Sequence, residues 1–120
     1  MPILKEYEKK VIELLVDGVL SPAVLSSFMA NAELVSYEFT GCVYFLTLSH
    51  PDLPEERIVC ATPHAIGVGA GIDTGFVVFL ESHELTLECY SWGSDAPETY
   101  RDQEIQIKIG HISGNGNLVW

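Results

Sequence analysis

The apolar residues of this chain change their spacing once, and that change decides the class of fold open to it. From Ile3 to Val19 they recur at helical intervals (Leu4, Tyr7, Val11, Leu14, Leu15), with Lys5, Glu6, Lys9, Lys10 and Glu13 mostly on the other face. Gly18 supplies a stop. Ser21-Pro22 then reads as an N-cap followed by proline at the first helical position. The second helix runs to about Asn31 and is expected to bury Leu25, Phe28 and Met29, the two helices forming a short antiparallel pair.

From Glu33 onward the period falls to two. Val35, Tyr37 and Phe39 alternate with Ser36, Glu38 and Thr40, and Cys42 to Leu48 is a second strand rich in aromatic and branched residues. His50 to Glu56 is a loop marked by two prolines, and Arg57 to Ala61 a short strand. Thr62 to Gly75, with Gly67, Gly69, Gly71 and Gly75, reads as a flexible loop. Phe76 to Leu80 and Glu84 to Tyr90 form the clearest pair, joined by a hairpin at Glu81-Ser-His-Glu84. Ser91 to Glu98 is a loop, Glu104 to Ile109 alternates again, and the terminal Leu118-Val-Trp120 is placed as a last strand. Helices first and strands afterwards predict an α+β fold, two N-terminal helices packed on a mostly antiparallel sheet of about five to six strands, in one domain spanning residues 1–120.

Composition narrows the rest. Of 120 residues 48% are apolar and 19% charged, which excludes a disordered chain and allows a core without disulfide staples. Lysine and glutamate interrupt the N-terminal stretch where a signal peptide would be continuously apolar. The run Cys42-Val-Tyr-Phe-Leu46 is far too short to span a bilayer. Cys42, Cys60 and Cys89 are odd in number and widely spaced, unlike a secreted disulfide framework. The cytoplasm is the expected compartment.

Four constellations invite a catalytic reading. Asp73-Thr74-Gly75 matches the core of the retroviral-type aspartic protease signature, but Phe76 stands where that family has a small residue, and a turn into a strand explains the tripeptide as well. Gly67-Val-Gly-Ala-Gly71 lacks the third glycine of the dinucleotide fingerprint, because Ile72 fills that position, and a strand follows rather than a helix. Cys60 and His64, with His50, His83 and His111, have no ligand spacing of the C-x-x-C kind, and cysteines on strands are usually small buried hydrophobes. Pro2 resembles the N-terminal proline of tautomerases, although a lysine-rich helix follows it instead of a strand. No catalytic residue, metal or cofactor is assigned.

Charge is the stronger pointer. Seventeen acids face six bases, a formal charge of −11, which repels phosphate backbones and draws basic proteins. Residues 1–20 are nearly neutral, residues 33–56 carry five acids and no base, and residues 73–104 carry eight acids against Arg101 alone. Around the loop after Glu88, the aromatic residues Tyr90, Trp92 and Tyr100 lie among Glu88, Asp95, Glu98 and Asp102, a mixture suited to an interface with apolar anchors and a polar rim. The candidate partner-binding residues are Glu88, Trp92, Asp95, Glu98, Tyr100 and Asp102.

A small, strongly acidic α+β chain with no catalytic constellation resembles, in overall character and not by motif, the immunity proteins of bacterial toxin systems, including contact-dependent growth inhibition. The stretch Glu88-Cys-Tyr-Ser-Trp-Gly93 followed by Pro97, Tyr100 and Arg101 has the look of a family signature but matches no named family. The resemblance implies a non-enzymatic inhibitor whose partner is a basic, nuclease-type toxin domain, with no nucleic-acid or membrane partner. The chain itself is expected to be a monomer or weak homodimer. The alternative is a small-molecule binder or small enzyme with a pocket under the Thr62–Gly75 loop, using Asp73, His64 and Cys60. A third reading is an adaptor that docks through a sheet edge or the first helix.

Overall fold

The computed structural model describes residues 4–40, 43–61, 64–69, 72–91, 100, 104–112 and 118–119. Two helices, α1 (Glu6–Leu15) and α2 (Pro22–Asn31), precede eight strands. These are β1 (Glu33–Phe39), β2 (Val43–Ser49), β3 (Ile58–Cys60), β4 (His64–Gly69), β5 (Ile72–Glu81), β6 (Glu84–Ser91), β7 (Gln106–Ile112) and β8 (Leu118–Val119). Every strand pairing is antiparallel, in the order β1-β2-β6-β5-β4-β7-β8 with β3 also on β5. The α+β class with N-terminal helices holds, with more strands than the sequence reading counted. No helix of the described residues is long and apolar enough to cross a membrane.

The helix boundaries follow their caps. In α1 the backbone N–H of Lys5 donates to Glu8 Oε1 at 2.8 Å, so the third helical residue closes the first turn. The helix stops at Leu15, earlier than Gly18. The chain then folds back through hydrogen bonds from Val19 and Leu20 N–H to the Val16 carbonyl, while Gly18 takes φ +81° in that turn. Ser21 caps α2, its hydroxyl accepting from Val24 N–H, with Pro22 at the first position. The expected helical pair is not the main packing. α1 lies against β4, β5 and β7, because its stripe of Tyr7, Val11, Ile12 and Leu15 matches the sheet's inner face. In α2 only Phe28 is fully buried, while Leu25 and Met29 pack partly against the same core.

That inner face is set by alternation. Tyr44, Leu46 and Leu48 of β2, Leu85, Leu87 and Cys89 of β6, and Phe76, Val78 and Leu80 of β5 point into one apolar cluster with the helices. Leu46, Leu87 and Val78 sit side by side across three strands.

Residues 64–69 and 72–75, expected within a flexible loop, are paired strand instead. The glycines there serve contact, not flexibility. A Cβ on Gly75 would lie 2.5 Å from Tyr90 Oη, so the Tyr90 ring lies across β5 in space that only glycine leaves. A Cβ on Gly67 would come within 2.6 Å of Thr74 Oγ1. Among the described residues of this stretch there is therefore no loop to cover a pocket, and Gly67 and Gly69 are strand residues, not a phosphate cradle. Asp73-Thr74-Gly75 likewise lies inside β5 and not at a turn.

The β5–β6 hairpin turns at Ser82 and His83, both in the left-handed region at φ 53° and 62°. Such two-residue turns favour glycine or asparagine. Here the preceding loop holds them: Ser82 N–H donates to the Glu55 carbonyl, His83 N–H to that of Pro54, and His50 N–H to that of His83.

Candidate partner-binding face

The second face of the central strands carries neither described helix. Its residues come from the alternate positions: Phe45 and Thr47 of β2, Thr86 and Glu88 of β6, Val77 and Phe79 of β5, all only partly buried. In register, Glu38, Phe45, Glu88 and Val77 form one row across four strands. Ser36, Thr47, Thr86, Phe79 and Val59 form the next. The Thr47 and Thr86 hydroxyls bond across the strands at 2.9 Å. A third row runs Glu33, Ser49, Glu84 and Glu81. The face thus mixes Phe45, Val77 and Phe79 with the central Thr47–Thr86 pair; Glu88 lies between Phe45 and Val77, and Glu33, Glu84 and Glu81 run along one end.

Its electrostatics are one-sided. Glu81 and Glu84 stand directly opposite each other, an arrangement that costs stability in a sheet. Arg57 meets Glu81 at 3.5 Å and lies 5.8 Å from the centre of the Phe79 ring, offsetting part of that repulsion. Burial among its neighbours pushes the Glu88 carboxyl above its ordinary value of 4.5, so a cation brought against it would favour the ionised form.

Of the residues singled out from sequence, Glu88 is on this face and Tyr100 is not. Tyr100 is 2% exposed, and its hydroxyl lies 2.8 Å from Thr74 Oγ1 in the core. Its ring is taken up by packing and offers no surface to a partner in this fold. Trp92, Asp95, Glu98 and Asp102 lie outside the described residues. Sequence reasoning missed Phe45, Val77 and Phe79, because an apolar side chain on a strand looks the same whether its face is covered or open.

Behind the sheet runs a polar chain that no short motif announces. Tyr44 donates to Glu8 Oε2 at 2.7 Å and is 2.7 Å from the Tyr7 hydroxyl, so with Tyr44 donating to Glu8, Tyr7 is the donor to Tyr44. Glu8 is fully buried, and both its oxygens accept hydrogen bonds. Cys89 pairs with Tyr44 in register and lies near Thr74, which bonds to Tyr100. Burial pushes the Cys89 thiol up to about 12, with the Thr74 and Tyr44 hydrogen bonds opposing it and the Glu8 carboxylate adding to it. Burial also raises Tyr44, with Glu8 next in importance, and lifts Tyr100 to about 12. Among the described residues no buried polar side-chain atom lacks a partner. Such a thiol is a poor nucleophile.

The other candidate chemistry is similarly occupied. Cys60 is buried, and burial raises its thiol. His50 Nδ1 accepts from Asp52 N–H at 3.0 Å, which leaves Nε2 to donate to Ser27 Oγ at 3.0 Å. His83 donates through Nδ1 to the Leu53 carbonyl at 2.7 Å. The side chain of His64 lies outside the described residues. Among the described residues no group of three His, Cys, Asp or Glu could hold a metal ion.

No family model, curated protein or solved structure matches the chain.

The buried thiols give a direct check on this arrangement. In a Cys42→Ser background, Ellman's reagent at pH 8 is expected to leave the native protein unlabelled and to titrate Cys60 and Cys89 once denaturant is added. Rapid labelling of Cys89 in the native state would contradict its place in the core.

Proposed function

We propose that this chain is a non-enzymatic inhibitor that binds a cationic protein, in its most concrete form a cytoplasmic immunity protein neutralising a nuclease-type toxin. The reading is supported above all by the face of the sheet that neither described helix covers, where Phe45, Val77 and Phe79 lie among Glu38, Glu81, Glu84 and Glu88. Apolar groups among charges are the usual build of an interface, and an excess of one sign, here carboxylates over the single described arginine Arg57, selects the partner and speeds its approach. The Glu81–Glu84 opposition supports it further, since charge crowding that lowers stability suits a surface kept for a partner. The lysines that neutralise a nuclease's substrate are the groups such a surface would occupy. Trp92, Asp95, Glu98 and Asp102, outside the described residues, belong to the proposal on their chemistry alone, Trp92 as an apolar anchor and the acids as charges for the same partner.

The test is capture from source-cell lysate on immobilised protein at low and at high salt, with mass spectrometry of what is retained. One basic nuclease-like protein is expected, lost as salt screens the charges. Glu84→Lys with Glu88→Lys should weaken its binding by about tenfold or more, and Asp95→Lys with Glu98→Lys likewise. A partner indifferent to salt and to both reversals, or no partner at all, would refute the proposal.

A further inference from the structure

β1 closes the described sheet on one side, and no described strand pairs with its outer edge. Proteins usually blunt such an edge with charged residues, proline, a bulge or a short strand. This one is seven residues long, has neither lysine nor proline, and is marked by two glutamates and a bulge. Leu34 and Val35 are 53% and 50% exposed, while the segment from Glu33 to Glu56 carries no base.

A bulge organises the charges. The register with β2 skips Val35, passing from Leu34↔Leu48 to Ser36↔Thr47. Glu33 and Glu38 are an odd number of residues apart and would face opposite sides in a regular strand. The skipped residue brings both onto the open face, opposite Ser49 and Phe45, which are four positions apart on β2. On the other face of the same strand are Leu34, Tyr37 and Phe39.

We infer that the β1 edge accepts an extended cationic segment of the partner as a ninth, added strand. This rests on the acidic-binder reading above and names how the partner is gripped. A strand meeting β1 as β2 does would carry Lys or Arg at two positions four apart, against Glu33 and Glu38. Apolar residues at the alternate positions would cover Leu34 and its neighbours. A second copy of this chain would instead bring its own Glu33 and Glu38 to the edge, so charge favours the cationic partner.

The probe is the peptide Thr-Lys-Val-Thr-Val-Lys-Val-Thr, titrated into the isotope-labelled full chain and followed by amide NMR shifts. Binding is expected to move the amides of residues 33–39. N-methylating alternate peptide amides on the strand-pairing side should weaken it about tenfold, because strand addition needs those N–H groups while charge attraction does not. Replacing both lysines by glutamate should abolish it. Four outcomes would overturn the inference. Shifts confined to Phe45, Val77 and Glu88 would leave the acidic binder standing with a different grip. Absence of binding by the lysine peptide, or equal binding by its glutamate version, would remove the charge argument as well. Shifts in residues 33–39 on concentrating the protein alone, with dimer in the ultracentrifuge, would assign the edge to a second copy.

Discussion

Raising the pH from 9 to 11 is expected to remove about 5 kcal/mol of unfolding free energy, enough to unfold a domain of ordinary stability. The cause is the buried polar chain. Cys89 and Tyr100 are pushed up to about 12 in the folded protein, from ordinary values of 9.0 and 10.0, and Tyr44 is raised further still. A raised acid of this kind keeps its proton when folded and loses it when unfolded. Its contribution is therefore complete below the unfolded value and disappears as pH climbs towards the folded one. Each such group subtracts about 1.4 kcal/mol per pH unit, starting near pH 9 for the thiol and near pH 10 for the two tyrosines. Urea midpoints measured at each half unit of pH should fall with increasing slope. Tyr44→Phe, less stable at neutral pH because it leaves Glu8 Oε2 without that donor, should show a shallower fall above pH 10. A urea midpoint that stays level from pH 9 to 11 would mean that these hydroxyls and the thiol are not sealed in the core.

Two substitutions on neighbouring strands should separate the two faces of the sheet. Leu87 is fully buried between Leu46 and Val78, and Leu87→Ala is expected to cost about 2–5 kcal/mol, the transfer of the lost side chain plus the cavity left behind. Phe45 points the other way and is only partly buried, beside Glu88. Phe45→Ala should cost roughly 1 kcal/mol of stability or less, while weakening capture of the basic partner by about thirtyfold, the effect of losing an interface anchor of about 2 kcal/mol. Calorimetry reads the first quantity and the salt-dependent capture assay the second. If Phe45→Ala unfolds the protein as severely as Leu87→Ala, its face is covered and is not a docking surface.

The order of helices and strands was legible because each element repeats its apolar period over several residues. The β5–β6 turn fell within Glu81-Ser-His-Glu84 as expected, even though Ser82 and His83 are unusual there, while β5 begins four residues before the expected Phe76. The stretch around Gly67 and Gly75 was misread because glycine signals both a pliable loop and a strand crossed closely by a neighbour. Only the partner across the sheet, Tyr90, distinguishes them. The bulge at Val35 was hidden for a related reason, since the skipped residue is defined by β2 and not by β1. Of the candidate site, the acidity was visible from composition and Glu88 from its place in an alternating strand. The opposition of Glu81 to Glu84 and the row from Glu38 to Val77 needed strand order, which one-dimensional spacing does not contain.

The residues of the first helix are synthesised early and seated late. α1 ends at Leu15, yet the strands it packs against are β4, β5 and β7, the last of which begins at Gln106. At about 5–20 residues per second, a ribosome needs roughly 5–20 s to travel between them. For that interval Tyr7, Val11, Ile12 and Leu15 have no final seat, and Glu8 has not yet met Tyr44 across a completed sheet. A ten-residue segment is too short to hold a helix alone in water, so α1 is completed by the sheet it joins, and in that step Glu8 passes from a solvated charge to a fully buried one.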